Sequence, residues 1–317
     1  MDEGLNKSVR KILITGGAGF IASCLAERLI HEPENYVVIV DNMLTGTRER
    51  LPSAKLKNWH FIKADVNKFE DISSIMVSYQ FDYVFHYAAV VGVQRTLLNP
   101  VSVLNDITGI KNILDLAKNT GVKCVYFSSS SEVYGEPVEF PQNEETTPLN
   151  SRLPYAVVKN VGESFLKSYH KEYGLNYTIF RLFNTYGPKQ SSDFVVSKFI
   201  RAAEAGHEII INGDGNQMRT FLYIDDNIEA TVAAFDKKKF QNQVLNIGHE
   251  REISILDLAK TVIKLTKSKS KIVHHPPLKE GDMIRRQPDN SKMKMLLNRS
   301  LVSLDEGISR IISHGKI

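Results

Sequence analysis

A chain of 317 residues with 42% hydrophobic and 24% charged residues has the make-up of a folded globular protein, with enough apolar material for one large core and a smaller lobe. It holds no apolar run of the about eighteen residues that a membrane helix needs, and its start, MDEGLNKSVRK, has no signal-peptide core, so neither a membrane partner nor standard secretion is expected. The net charge of +4 is spread over dispersed lysines with no basic tail, which suits anionic ligands and speaks against nucleic acid; Cys24 and Cys124 read as small buried hydrophobes of a reducing, cytoplasmic compartment, and no metal site is expected.

The first element is KILITGGAGFIASCLAERLI (11–30): a short apolar strand, a glycine turn and an amphipathic helix. Such a turn brings backbone N–H groups to a pyrophosphate at a helix N-terminus. Gly16 and Gly19 fit G-x-x-G-x-x-G, Gly17 adds room, and Ala22 stands in the third glycine place as the smallest change. Phe20 and Ile21 open the helix and are taken with the two glycines as cofactor contacts. The next strand, YVVIVDN (36–42), ends in Asp41 and Asn42, with Asp41 22 residues after Gly19. A carboxylate there accepts hydrogen bonds from a ribose and repels a 2′-phosphate, which favours NAD over NADP. WHFIKADV (59–66) then places Asp65 and Val66 at the adenine edge, and YVFHYAA (83–89) ends in Ala88 and Ala89, small enough for backbone to approach the cofactor. CVYFSS (124–129) and YTIFRLFN (177–184) complete the strand candidates. With helical patterns between them, the expected fold is α/β, a Rossmann-type doubly wound parallel sheet.

The strand candidate at 124–129 runs into FSSSSEVYGEPVEF (127–140), four serines and a glutamate where a core element ends. Tyr155 and Lys159 follow in PYAVVK, one helical turn apart on one face. An ammonium beside a phenol favours the phenolate, and a Ser130 hydroxyl can donate to the oxygen that Tyr155 deprotonates. That trio moves a proton off an alcohol while NAD takes the hydride. A non-catalytic NAD- or nucleotide-sugar-binding protein is the alternative of another class, and it has no need of the three together.

The combination TGGAGFIAS, VDN, HYAA, SSSSEVYG, YAVVK, FRLFNTYGP, MRTFLYIDD and IRRQPDNSK resembles the extended short-chain dehydrogenase/reductase superfamily, and within it the NAD-dependent nucleotide-sugar epimerases, dehydratases and decarboxylases. The resemblance implies transient oxidation of the sugar at C4, chemistry on the 4-keto intermediate, and return of the hydride. It implies an NAD-binding domain over 1–183, with 224–249 returning to it, and a smaller α/β substrate domain from 184–223 and 250–317. It implies a homodimer pairing helices near 100–118 and 155–173. Carried over, Ser130 supplies the hydroxyl, Tyr155 the base and Lys159 a cofactor contact as well as a catalytic charge. Ser131 and Asn184 resemble substrate contacts, Arg219 and Arg286 resemble arginines that grip the diphosphate, with Arg285 an alternative to Arg286, and Phe194 resembles a residue against the nucleotide base. The nucleoside-diphosphate sugar implied is UDP-linked. Asp225 and Asp226 read as helix-start structure.

The residues after Ser130 bear on the reaction. Family 4,6-dehydratases have Asp-Glu before VYG, whereas this chain has Ser131-Glu132, and serine is a poor general acid. Ser-Glu and IRRQPDNSK are similar to UDP-glucuronate decarboxylases, while VGVQRTLLNP (91–100) looks like the corresponding loop of sugar 4-epimerases. The reading that leads is 4-epimerisation of a UDP-sugar (the glucose, N-acetylglucosamine or glucuronate class), with Glu132 counted as catalytic; decarboxylation of UDP-glucuronate to UDP-xylose and other 4-keto-sugar chemistry are the alternatives. Asp106 stands where the family commonly has an asparagine that braces the active-site helix, and Ile110 replaces a threonine.

Overall fold

The computed structural model describes residues 9–92, 96, 98–277 and 285–315. Residues 93–95 and 97 of the VGVQRTLLNP stretch, residue 284 of IRRQPDNSK and the first eight residues lie outside the described residues. The chain begins with β1 (Arg10–Thr15), α1 (Phe20–Ile30), β2 (Asn35–Asp41), β3 (Trp59–Lys63), α2 (Phe69–Tyr79) and β4 (Tyr83–His86). It continues through α3 (Pro100–Leu104), α4 (Asp106–Thr120), β5 (Cys124–Ser130), α5 (Pro154–Tyr173) and β6 (Asn176–Leu182). After β7 (Thr185–Tyr186) come α6 (Val195–Glu204), β8 (Ile209–Asn212), β9 (Met218–Thr220), β10 (Leu222–Tyr223), α7 (Ile224–Lys237) and β11 (Val244–Ile247). The last elements are β12 (Glu252–Ser254), α8 (Ile255–Thr266), β13 (Ile272–His275), α9 (Ser291–Leu297) and α10 (Leu304–His314).

Branched apolar residues fill the central strands without polar alternation, the mark of a sheet covered on both faces. Seven strands pair in parallel in the order β11-β6-β5-β4-β1-β2-β3. Side chains of one strand alternate between two cores: Ile12 and Ile14 point into a cluster with Leu25 of α1 and Phe235 of α7, while Leu13 joins Ile72, Ile113 and Leu166 of α2, α4 and α5. The strand order reverses between β1 and β4, which opens a crevice at the carboxyl ends of these strands. Three two-stranded pieces, β7 with β10, β9 with β12 and β8 with β13, lie outside the main sheet, and β11 returns to its edge after α7.

The helix expected near 100–118 is two helices. Asn105 interrupts it with a tightened turn in which the Thr108 N–H donates to the Asn105 carbonyl (3.0 Å), and α4 starts at Asp106. Its partner, α5, starts on Pro154 and ends on Gly174 at φ +72°, a left-handed cap that glycine adopts at least cost. Asp225 and Asp226 open α7; Asp226 is buried and accepts from Arg299 (2.6 Å) and the Val302 N–H (2.8 Å), a structural task. Cys24 and Cys124 are free thiols, and burial pushes them up to about 11 and about 12 respectively.

Candidate active site

The glycine turn sits at the crevice. Gly16 has φ +69°, and a methyl group on it would lie 2.7 Å from the Ala88 backbone, so the closeness of the β1 and β4 ends requires glycine here. Gly19 precedes α1 with an extended backbone and caps it with no side chain, and the first turn carries no acidic residue. Its N–H groups and the positive end of the helix dipole are therefore left to an anion in the crevice. Asp41, at the end of β2, accepts from the Ala18 N–H (3.0 Å) and the Met43 N–H (2.7 Å), so one carboxylate pins the glycine turn and still has lone pairs for a ribose. These features fit a dinucleotide without a 2′-phosphate.

A cavity of about 670 Å³ runs from this turn to the ends of β5 and β6, a volume typical of ligand sites. Its lining includes Gly16, Gly19, Phe20, Ile21, Asp41, Asn42, Asp65, Val66, Ala88 and Ala89 at the cofactor end. Ser130, Ser131, Glu132, Tyr155, Lys159, Asn184, Phe194 and Arg286 line the same cavity. Arg219 is, among these candidates, the one not in the lining: β9 carries it opposite Ile253 of β12, and one of its guanidinium nitrogens donates to the Met218 carbonyl (2.8 Å).

The four serines divide the labour. Ser128 donates to the His86 carbonyl (3.3 Å) and Ser129 to Glu163 (2.6 Å), bracing β5 against its neighbours. Ser130 accepts from the Glu132 N–H (3.2 Å), capping a 3-10 turn over Ser131–Tyr134, which leaves its own proton to be donated into the cavity. Tyr155 stands beside it. Burial pushes that phenol up, the charge of Glu132 adds to the rise, the Ser130 hydroxyl opposes it and Asp106 adds a smaller rise. Lys159 is 2% exposed, its ammonium 4.9 Å from the Phe127 ring centre and 5.8 Å from that of Tyr155. Burial brings it down to about 8, against the pull of the Asp106 carboxylate.

Glu132 and Arg286, 154 residues apart, form a two-pronged ion pair (2.6 and 2.7 Å) at the cavity wall. Sequence reading set Arg286 on a diphosphate and did not pair it with Glu132, since nothing in either local motif encodes their meeting. Arg285 points elsewhere, gripping Glu252 with two bonds of 2.7 Å and stacking over Phe140. The stretch carrying Arg286 is held by main-chain bonds from Gln142 to the Gln287 carbonyl (2.7 Å) and from Asp289 to the Gln142 carbonyl (2.8 Å). Leu44, Thr45, Asn67 and Gln190 also line the cavity and were missed. Leu44 and Thr45 follow Asp41 directly, so the strand end was the available signal. Gln190 is fixed by the Thr185 carbonyl (2.7 Å) and Ser197 (2.9 Å), contacts that no local pattern announces.

A doubly wound sheet with an open helix terminus at its switch point, and a serine, tyrosine and lysine beside it, defines a dinucleotide-dependent enzyme of the extended short-chain dehydrogenase/reductase type. Residues 12–248 match the NAD dependent epimerase/dehydratase family, and the chain belongs to that family, with NAD as its cofactor. It is 36% identical to the UDP-N-acetyl-alpha-D-glucosaminuronate decarboxylase of Bacillus cytotoxicus over 96% of this chain and 97% of that one. Among solved structures, the UDP-glucose 4-epimerase of Thermotoga maritima matches with a TM-score of 0.90 and 34% identity over 96% of this chain and 98% of that one. The UDP-glucuronic acid 4-epimerase of Bacillus cereus matches with a TM-score of 0.87 and 32% identity, again over 96% and 98%.

Proposed function

We propose that this enzyme decarboxylates a UDP-linked uronic acid by transient oxidation at C4, a reading carried by the Glu132–Arg286 pair in the cavity that also holds Ser130, Tyr155 and Lys159. A 4-epimerase of a neutral sugar needs a proton shuttle and room for the sugar to turn; a half-buried carboxylate–guanidinium pair serves it little. A uronic acid brings its own carboxylate to C5. Next to Arg286 that group finds a guanidinium whose charge Glu132 already shares, so it is oriented without being held so firmly that carbon dioxide cannot leave.

Bound NAD supplies the hydride acceptor at C4 and gives the hydride back at the end. Tyr155 takes the proton from O4 as the alcohol becomes a ketone, with Lys159 stabilising the phenolate. The C5–C6 bond of the resulting β-keto acid breaks, carbon dioxide leaves, and the electron pair passes to O4 as an enolate that Ser130 and Tyr155 hydrogen-bond. A water held by Ser131 and Glu132 relays a proton from bulk solvent to C5, so that no hydroxide is left behind, and Tyr155 returns its proton to O4. Asn184 and Phe194 are placed in this reading on the UDP moiety. The two-domain division and a homodimer belong to the same proposal; Val101 (70% exposed) on α3 and Tyr173 (54% exposed) on α5 supply apolar surface for a partner copy, and light scattering should return the dimer mass.

The 36% identity to a glucosaminuronate decarboxylase supports this reading. Epimerisation at C4, which led on sequence alone, is supported by the likeness to the two solved 4-epimerases. Incubation with UDP-glucuronate and with UDP-N-acetylglucosaminuronate, followed by mass spectrometry, separates the two. Loss of the mass of carbon dioxide is expected from one of them; an isomer of unchanged mass would replace this reading with epimerisation. Glu132→Gln is expected to lower decarboxylation by about 10²-fold or more, as for loss of a group that manages a proton. A loss within a few-fold would make Glu132 a mere contact.

A further inference from the structure

The turn that carries Glu132 also carries Tyr134, whose side chain is fully buried. Its hydroxyl accepts from Arg181 (2.9 Å) and donates to the side-chain oxygen of Asn246 on β11 (2.7 Å). The Asn246 amide, buried as well, donates to the carbonyls of Gln142 (2.9 Å) and Asp289 (3.2 Å). These are the residues whose main chain fastens the Arg286 stretch. We infer that Tyr134 and Asn246 are positioning residues for the Glu132–Arg286 pair, a buried knot that keeps two side chains 154 residues apart in register.

The first donor sets the direction of every bond in the knot. A guanidinium has donors only, so the Tyr134 oxygen accepts from Arg181 and its own proton is left for Asn246. The Asn246 oxygen then faces Tyr134, and both N–H bonds of the amide turn to the two carbonyls. Behind Arg181 stands Glu163, which also accepts from Ser129, the neighbour of Ser130. The knot therefore refers the ion pair to the catalytic strand. The Asn246 N–H adds a bond to the Glu144 carboxylate (2.8 Å), and Arg181 reaches the Glu144 carbonyl (3.2 Å). Other ties of the Arg286 stretch run elsewhere. Arg285 grips Glu252, Gln287 donates to the Glu250 carbonyl (3.0 Å) and Asn290 to the Gly248 carbonyl (3.0 Å). Those bonds fasten the stretch to residues 248–252; its register against the Glu132 turn comes from Asn246 and Tyr134.

Tyr134→Phe tests this by deleting only the hydroxyl, since the ring keeps its place beside Phe183. The readout is nitrogen-15 NMR of NAD-loaded protein with labelled arginine, the Arg286 signals being assigned by their loss in Arg286→Lys. A guanidinium gripped by two carboxylate bonds turns slowly, so separate signals are expected for its two terminal nitrogens in the wild type. In Tyr134→Phe they should broaden or merge, while those of Arg285, gripped by Glu252 away from the knot, stay as in the wild type. Asn246→Ala removes the other half of the knot and should give the same result, which keeps the test open if the first variant fails to fold. Sharp, separate Arg286 signals in the variants overturn the inference. So does equal broadening of Arg285, the mark of a general loosening. In turnover, kcat/KM for the uronic acid should fall about 2- to 10-fold in Tyr134→Phe, the worth of one hydrogen bond, with bound NAD unchanged. The inference rests on reading the Glu132–Arg286 pair as the place of the sugar carboxylate. The NMR needs no substrate, however, so if neither uronic acid were turned over the Arg286 signals would still decide it.

Discussion

Tyr155→Phe should fold, retain NAD and lose about 10²- to 10⁴-fold in kcat, the usual span for removing a positioned proton-transfer group. The hydroxyl is all that the change deletes, and the ring keeps its place on α5 within a turn of Lys159. Burial holds the phenol high in the resting site, with Glu132 and Asp106 adding to the rise. The base is therefore made by the site once substrate and cofactor are in place, with the Lys159 ammonium as the nearby positive charge. Rates should be read with gel-filtered enzyme whose NAD content is measured on the same sample. A mutant that turned over within three-fold or so of wild type would assign the base to another residue. Because the phenol is held high, the wild-type rate should rise with pH as the tyrosine more readily gives up its proton, until above about 8 it slows as Lys159 loses its own.

Arg181→Met is expected to have the largest effect on stability, about 3–5 kcal/mol, read as a fall in denaturant midpoint. Arg181 and Glu163 are 2% and 1% exposed and joined by bonds of 2.9 and 2.7 Å. The arginine also reaches the Tyr134 hydroxyl (2.9 Å) and the Glu144 carbonyl (3.2 Å), and Glu163 accepts from Ser129. Removing the guanidinium strands a carboxylate in the core beneath the catalytic strand. Because an apolar pair of matching volume can replace a buried ion pair at little cost, Arg181→Met with Glu163→Leu should recover much of the loss. If the single mutant were as stable as wild type, the pair would not be holding β5, β6 and α5 together.

The cofactor half of the site was legible in the sequence because it is local. Gly16, Gly19 and Asp41 lie within one strand–helix–strand unit, where the chain's order is also its order in space. Tyr155 and Lys159 were legible for a like reason, since helical periodicity alone puts them on one face. The substrate half depends on contacts between distant segments. Arg286 meets Glu132 across 154 residues, on a stretch tied by main-chain bonds to Gln142, and Arg219 lies on β9, paired with β12 and outside the cavity lining. No period or spacing encodes either. Asp106 was visible as an unusual residue, but its acceptance from Val90 and Asn67 emerges only when β3, β4 and α4 have packed.

The uncapped start of α1 has a consequence for the life of the molecule. A helix whose first N–H groups meet neither side-chain oxygen nor acidic charge is finished by whatever anion its chain is folded around. A dinucleotide that settles there is a structural part of the fold as much as a reagent. It binds the native chain and not the unfolded one, so each increment in its concentration draws the population towards the native state. Its resistance to unfolding should therefore rise with the concentration of NAD, before any sugar nucleotide is present to be converted.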